Sequence, residues 1–218
     1  MENILNNPFI DDAIILTKKD FGEGHLTITC LTKDHGLVRA FAFGGKRLSK
    51  RFKSSLEYFK VMEMEFVPKQ NNNELIFTLS AVKSTKDTYK TLSMDMNKFI
   101  IACYVQELTS KILNPLEHSG KSGNFFFNTV TETLRKIDAS PNGQLDGLIG
   151  FAYDLCVFMF HETGFIPDIE TMKTPQRQLN HMEELHSSIL GSSPNSFLML
   201  TELLSSSCQV QGNSARNR

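Results

Sequence analysis

The sequence lacks the short motifs that reveal most catalytic and metal-binding proteins. It has no GxxxxGK[ST] or GxGxxG phosphate-binding element and no GxSxG nucleophile elbow. His161 and Glu162 begin an HExxH pattern, but Phe165 stands where the second histidine of a zinc-binding helix would be. His181 and His186 are out of register for ligands on one helix face. We therefore expect no enzyme, no cofactor and no metal ion.

Paired cysteines and targeting segments are absent as well. The four cysteines lie far apart among apolar or small residues, so we expect buried free thiols. They are Cys30, Cys103, Cys156 and Cys208. Residues 1–15 contain no basic region followed by a long apolar stretch, so no signal peptide is expected. The most apolar run, within 145–164, is too short to span a membrane and is interrupted by Asp154. These features predict a cytoplasmic protein without disulfides.

The chain as a whole also lacks an excess of charge. Its formal net charge is −1, which argues against a protein that coats polyanions with its entire surface. Positive charge is instead concentrated in residues 46–53, the basic segment, where five of eight residues are cationic. No acidic residue occurs from Gly36 through Leu56. Gly44 and Gly45 precede the basic segment and allow the backbone to turn sharply there.

The first part of the chain has the period-two hydrophobic pattern of β-strands. Five strands are predicted, over residues 13–17, 26–32, 37–43, 56–67 and 74–82, with short connections between them. A small sheet avoids exposed edges best by closing into a barrel, and the five-stranded OB-fold is a common solution. An open sandwich is the alternative.

The pattern becomes helical from about residue 85. Helices are predicted over residues 94–113, 125–137, 145–164, 176–190 and 196–206. The fold class is therefore α+β, an N-terminal five-stranded OB-fold barrel followed by an all-helical domain. We place the barrel domain at residues 1–83, the helical domain at 84–207 and a disordered tail at 208–218.

Two interpretations of the basic segment follow from charge alone: a solvated loop that aids solubility, or a contact site for a polyanion. Three features favour nucleic acid. Arg39 adds a cation on the preceding strand, and Arg47, Arg51 and Phe52 add planar groups that stack on bases. The segment is also expected to join adjacent strands of the OB-fold barrel, whose strand faces and flanking loops often bind oligonucleotides. Lys18 and Lys19 could flank the same surface.

Several segments resemble the RecO family of bacterial recombination mediators. The similarity lies in DAIIL at residues 12–16, in Gly22 and Glu23, in LTKDHGL at 31–37, in Arg39 and in residues 44–51. Residues 151–168 are similar to a later helix and Pro-containing segment of that family.

The resemblance implies binding of single- and double-stranded DNA and annealing of complementary strands, with RecR as a partner. It also implies recognition of the acidic tail of single-stranded DNA-binding protein through the helical domain, so that RecA is loaded indirectly, in the nucleoid. The positions that match the family imply that Arg39, Lys46, Arg47 and Arg51 contact DNA. Lys50 and Lys53 are added as DNA-contact candidates because of their charge alone. For the partner tail, the basic helical candidates are Lys111, Arg135 and Lys136.

One departure from the family concerns metal. Many relatives carry four zinc-binding cysteines in two CxxC pairs after the Pro-Asp segment, whereas this chain has no cysteine between Ile169 and Cys208. We therefore expect no zinc and a rebuilt C-terminal region.

Two other functions remain open from the sequence. An RNA-binding OB-fold protein would use the same surface, because any base can stack on it. A nuclease or hydrolase would require clustered carboxylates or a metal.

Overall fold

The structure is a computed structural model that describes residues 7–46, 52, 56–71, 74–114, 121–142, 144–165 and 174–203. It contains five β-strands followed by helices. The strands form a closed barrel, so the predicted α+β class with an OB-fold barrel ahead of an all-helical region is confirmed.

The barrel closes in the order β1-β2-β3-β5-β4. Its strands are β1 Phe9–Phe21, β2 His25–Thr32, β3 Gly36–Ala42, β4 Lys60–Asn71 and β5 Glu74–Thr88. All neighbouring pairs are antiparallel except β3 with β5, which is parallel, and β1 pairs with β4 to complete the ring. The open sandwich is therefore wrong.

The position of β5 corrects one expectation about the basic segment. We expected this segment to join adjacent strands, but β5 lies between β3 and β4 in the barrel. The connection from β3 to β4 therefore crosses over rather than forming a hairpin.

The strand bounds differ from the predicted ones for local reasons. β1 continues to Phe21 because its ladder with β2 extends to the pair Phe21 and His25. β4 begins at Lys60 rather than at residue 56, since Phe59 has a left-handed φ of 61° that an extended strand does not allow. β5 extends to Thr88, beyond the expected boundary at residue 83.

The barrel interior is filled by the alternate apolar side chains of all five strands. Ile28 and Cys30 of β2, Val38 of β3 and Met62 of β4 are fully buried there. Burial in this apolar interior raises the pKa of the Cys30 thiol, so Cys30 is an unreactive core residue, as predicted.

The helices are α1 Met96–Ile112, α2 Lys121–Ala139, α3 Leu145–Glu162 and α4 Pro175–Ile189. A 3₁₀ turn, Thr91–Ser93, precedes α1, and residues 195–203 form a further helical stretch. No helix in the described ranges is both long and apolar enough to cross a membrane.

The chain divides into two compact units. One contains the described residues of Met1–Tyr89 and Leu113–Glu132, and the other those of Lys90–Ile112 and Thr133–Arg218. The helical unit begins at Lys90, so the 3₁₀ turn belongs to it. The domain boundaries at residues 83 and 207 stay a prediction, and the tail 208–218 lies outside the described residues.

Both histidines of α4 are buried. His186 lies 2.9 Å from the hydroxyl of Tyr104, and His181 lies 2.9 Å from that of Tyr153. The His186 ring is fully buried, and its Nδ1 has no hydrogen-bond partner among the described residues. Each histidine thus joins α4 to another helix of the same unit.

The helical stretch 195–203 is held to α1 by one carboxylate. Glu107 accepts hydrogen bonds from the backbone N–H groups of Asn195 and Ser196 and from the Ser196 hydroxyl, at 2.6–3.0 Å. Burial alone would raise the pKa of Glu107, but these hydrogen bonds lower it overall. A carboxylate at a helix N-terminus satisfies backbone donors that the helix leaves unpaired.

Candidate nucleic-acid interface

Arg39 lies on the outer surface of β3. In this strand Val38, Ala40 and Ala42 point into the barrel core, so Arg39 points outward opposite Thr29 of β2. The side chain is exposed, and no carboxylate of the described residues lies within 4 Å of it. Arg39 is therefore positioned to contact a phosphate from a fixed strand.

The glycine pair turns the chain out of β3 as the sequence predicted. Gly44 has a φ of 75°, a left-handed value that disfavours any residue with a Cβ. The Gly45 N–H donates to the carbonyl of Ala42 at 3.0 Å. A Cβ at Gly45 would lie 3.0 Å from that same carbonyl oxygen and 3.2 Å from Leu56, so the chain passes too close for a side chain.

The start of the basic segment is fastened to the tip of the β1–β2 hairpin. The Gly44 N–H donates to Nδ1 of His25 at 2.8 Å, and the Lys46 N–H donates to the carbonyl of Gly24 at 3.3 Å. The Lys46 ammonium also lies 2.7 Å from the carboxylate of Asp20. Two loops distant in sequence thus meet at one rim of the barrel.

The ion pair of Lys46 with Asp20 was not foreseen, because no acidic residue lies near Lys46 in the sequence. The Asp20 side chain is 75% exposed, so water screens the pair strongly. Lys46 therefore remains able to exchange this partner for a phosphate.

Of the six predicted DNA-contact residues, Arg39 and Lys46 are described and lie on the same barrel. The remaining four, Arg47, Lys50, Arg51 and Lys53, lie outside the described residues, and their role stays a prediction. The expectation that Phe52 stacks on bases is wrong. Its side chain is 2% exposed within the barrel core, where Phe52 bridges to Val82 of β5.

The two lysines of the first hairpin have different environments. Lys18 donates from Nζ to the carbonyl of Leu56 at 2.7 Å and lies 4.2 Å from the centre of the Tyr58 ring. Partial burial lowers its pKa, although the charge of Glu57 opposes this shift. Lys18 therefore holds Leu56 and Tyr58, just before β4, against β1. Lys19 is exposed on the outer side of the barrel, opposite Thr27.

Three phenylalanines on the outer surface were missed by sequence reasoning. Phe21 pairs with His25 and Phe41 with Thr27, and Phe43 follows directly after β3. We call Phe21, Phe41 and Phe43 the aromatic face. Phe21 is 46% exposed, and the other two are half-buried. The sequence did carry a signal for a second apolar surface. Residues 37–43 are apolar at the outward as well as the inward positions, except at Arg39.

The β4–β5 side of the barrel has a different charge pattern. Here Glu63 pairs with Lys86 at 2.7 Å and Glu65 pairs with Lys83 at 3.0 Å. Hydrogen bonds from Lys83 and Ser80 lower the pKa of Glu65. Lys83 and Lys86 are thus matched by neighbouring carboxylates, whereas Arg39 and Lys19 have no such partner within the described residues.

Comparison with known proteins bears directly on this barrel. Residues 7–86 match a family model described as Recombination protein O N terminal. The barrel is therefore similar to the N-terminal domain of this family. The matched residues include Arg39, the glycine pair and the whole basic segment, so the resemblance expected from the sequence is confirmed for the barrel.

A curated relative extends the similarity beyond the barrel. The chain is 39% identical over 133 residues to a protein of Myxococcus xanthus named DNA repair protein RecO. The alignment covers 61% of this chain and 51% of that protein, so the chain spans about half the length of the curated relative that it matches.

The three basic residues predicted for partner binding all lie in the helical unit, outside the residues that match the family model. Lys111 is in the last turn of α1, 3.7 Å from the carboxylate of Glu107. Arg135 and Lys136 are exposed on α2. Their partner role stays a prediction.

Within the described ranges, no three His, Cys, Asp or Glu side chains come close enough together to hold a metal ion. Cys156 is buried beside His186, at 3.8 Å, and burial raises its pKa to about 12. Cys103 is only half-buried, in contrast to the prediction, and burial raises its pKa to about 11.

Proposed function

We propose that this chain is a DNA repair and recombination mediator that binds single- and double-stranded DNA and anneals complementary strands. It acts without catalysis and helps to load RecA onto DNA that is coated with single-stranded DNA-binding protein. Its other partners are RecR and the acidic tail of that coating protein. It works in the cytoplasm, at the nucleoid.

One observation carries the proposal. The barrel that matches the Recombination protein O N-terminal family is the same segment that carries Arg39 and the basic segment. The name of the Myxococcus xanthus relative, a DNA repair protein, supports the same biological setting.

The physical basis of annealing is charge neutralisation. Two DNA strands repel each other through their phosphates, and cations bound between the backbones lower this repulsion. Base pairing then supplies the driving force, so the protein needs to position cations and does not need to make or break covalent bonds. Arg39 on a rigid strand and Lys46 at the barrel rim provide two such cations, and the basic segment provides four more.

The helical unit is the proposed docking region for the acidic tail. Lys111, Arg135 and Lys136 supply positive charge for its carboxylates. At Lys111, Glu107 competes for the ammonium, although Glu107 is already engaged with Asn195 and Ser196. This weakens the competition and leaves Lys111 available to a partner.

The test is annealing of complementary oligonucleotides coated with single-stranded DNA-binding protein. We expect this chain to accelerate annealing, and we expect the acceleration to fall when the acidic tail of the coating protein is removed. The variant Lys83→Ala with Lys86→Ala serves as a matched control, since it removes two cations that are paired with carboxylates on the β4–β5 side of the barrel.

Three results would contradict the proposal. They are the absence of annealing, tighter binding of RNA than of DNA of equal length, and cleavage of labelled DNA in Mg²⁺ or Mn²⁺. Tighter RNA binding would favour an RNA-binding OB-fold protein, and cleavage would favour a nuclease.

A further inference from the structure

The aromatic face exposes rings where a small barrel normally exposes polar side chains. Barrel strands alternate between core and solvent, and the core is already filled by other residues, among them Leu26, Ile28 and Ala42. The three phenylalanines are not part of that core cluster. Their outward position therefore serves something other than the stability of the barrel interior.

The rings form a continuous array. The ring centres of Phe21 and Phe41 are 4.9 Å apart, with an interplanar angle of 49°. Those of Phe41 and Phe43 are 6.0 Å apart, with an angle of 26°. The ring of His25 lies edge-on to Phe43 at 5.5 Å. Such an array offers several adjacent flat surfaces on which the bases of one strand can stack.

Cations surround the array. Lys69 of β4 places its Nζ 5.9 Å from the centre of the Phe43 ring, and Lys19 is exposed opposite Thr27 in the row of Phe41. Arg39 lies on the same side of β3, two positions from Phe41. Two carboxylates of the hairpin, Asp20 and Glu23, are near its tip, where Asp20 pairs with Lys46. The surface thus combines flat apolar groups with positive charge, which matches the bases and phosphates of nucleic acid.

We propose that Phe21, Phe41 and Phe43 form a base-stacking subsite for single-stranded DNA. This inference rests on the proposed function and deepens it by assigning the unpaired strand to one face of the barrel. Bases inside a duplex are stacked on each other and are not available to protein rings, so this subsite accepts only the unpaired strand. The basic segment, in contrast, contacts phosphates and serves both forms of DNA.

The experiment compares three probes of equal length in titrations of the whole chain. They are an oligothymidylate of about 15 nucleotides, near the upper site size of an OB-fold, an abasic strand with the same phosphates, and a duplex. We expect the oligothymidylate to bind more tightly than the abasic strand by roughly tenfold for each ring that stacks. Removing the rings should abolish this preference and leave duplex binding unchanged.

The variants are chosen to keep the fold. Phe→Leu at positions 21, 41 and 43 preserves an apolar side chain and removes the aromatic surface. Phe21→Leu alone is the safest variant because Phe21 is the most exposed of the three, and Phe21→Tyr should restore binding. Phe125→Leu on α2 is the matched control, since Phe125 is exposed to a similar extent, 49% against 46%.

Each contrary outcome has a distinct meaning. Equal binding of the oligothymidylate and the abasic strand, with duplex binding intact, overturns the stacking subsite and leaves the proposed function standing. An equal loss of binding to all three probes in the Phe→Leu variants also overturns it. Loss of self-association in those variants, without loss of base preference, assigns the face to a second copy of the chain. Failure of the unaltered chain to bind any probe overturns both proposals.

Discussion

At the scale of single residues, the fold opposes protonation of the buried His186 imidazole. Burial lowers its pKa to about 4, and the charge of Lys111 adds to this effect, while Glu107 opposes it. The ring is enclosed by Tyr104, Phe160 and Phe197, none of which carries a charge. A neutral His186 is therefore part of the folded helical unit.

This predicts a specific loss of stability in mild acid. Below pH 6.5 the unfolded chain binds a proton at His186, whereas the folded chain does so only near pH 4, so stability falls between these values. From pH 7 to pH 5 the free energy of unfolding should drop by about 2 kcal/mol relative to His186→Gln, which cannot titrate. Urea denaturation at both pH values measures the difference.

The exposed His161 provides the control for this prediction. Its side chain is 56% exposed on α3, so His161→Gln removes an imidazole from the surface and not from the core. An equal pH dependence in His186→Gln and the unaltered chain would show that the fold does not hold His186 neutral.

Single residues were predictable from the sequence only where a local pattern determines them. Arg39 alternates with core residues of its own strand, so its outward position could be predicted. The pairing of Lys46 with Asp20 depends on two hairpins meeting at one rim, and the burial of Phe52 depends on its bridge to β5. Neither long-range interaction leaves a trace in the neighbouring sequence.

At the scale of elements, the exit from β3 sets the position of the basic segment. The left-handed backbone at Gly44 makes Gly44→Ala unfavourable even though a Cβ there would have open space. We expect this substitution to lower the free energy of unfolding by about 1–2 kcal/mol, the usual cost of a left-handed residue with a Cβ. Thermal or chemical denaturation measures the change.

Replacing a glycine inside a helix is expected to change the free energy of unfolding in the opposite direction. Gly150→Ala in α3 adds a Cβ to open space in a regular helix and should stabilise the chain by about 0.5–1 kcal/mol. If both substitutions changed stability in the same direction, the backbone conformation at Gly44 would not be the cause.

The elements themselves were largely predictable, and their arrangement was less so. All five strands and the four complete helices were predicted near their observed positions, because period-two and helical patterns are local. The insertion of β5 between β3 and β4 was not predicted, since a parallel pairing of Ala40 and Phe41 with Phe77 and Thr78 is non-local. Periodicity left a barrel and an open sandwich as alternatives, and the barrel was favoured because closure removes the exposed edges of a small sheet.

At the scale of the whole molecule, function depends on where charge lies and not on its sum. The net charge is −1, yet Lys83 and Lys86 on the β4–β5 side are paired with carboxylates, while Arg39 and Lys19 on the β1–β3 side have no such partner among the described residues. The sequence adds five cations in the basic segment. Under the proposed function, this asymmetry is what lets a near-neutral protein bind DNA on one surface.

The salt dependence of duplex DNA binding tests this central claim most directly. If about five side chains bind phosphates, the logarithm of the binding constant should fall with the logarithm of salt concentration at a slope of roughly −4 to −5. The fourfold variant Lys46→Ala, Arg47→Ala, Lys50→Ala and Arg51→Ala should bind more weakly, with a slope shallower by about 0.9 for each phosphate that the variant no longer neutralises. Lys83→Ala with Lys86→Ala should leave the slope unchanged. A slope near zero in the unaltered chain, or unchanged binding in the fourfold variant, would contradict the account.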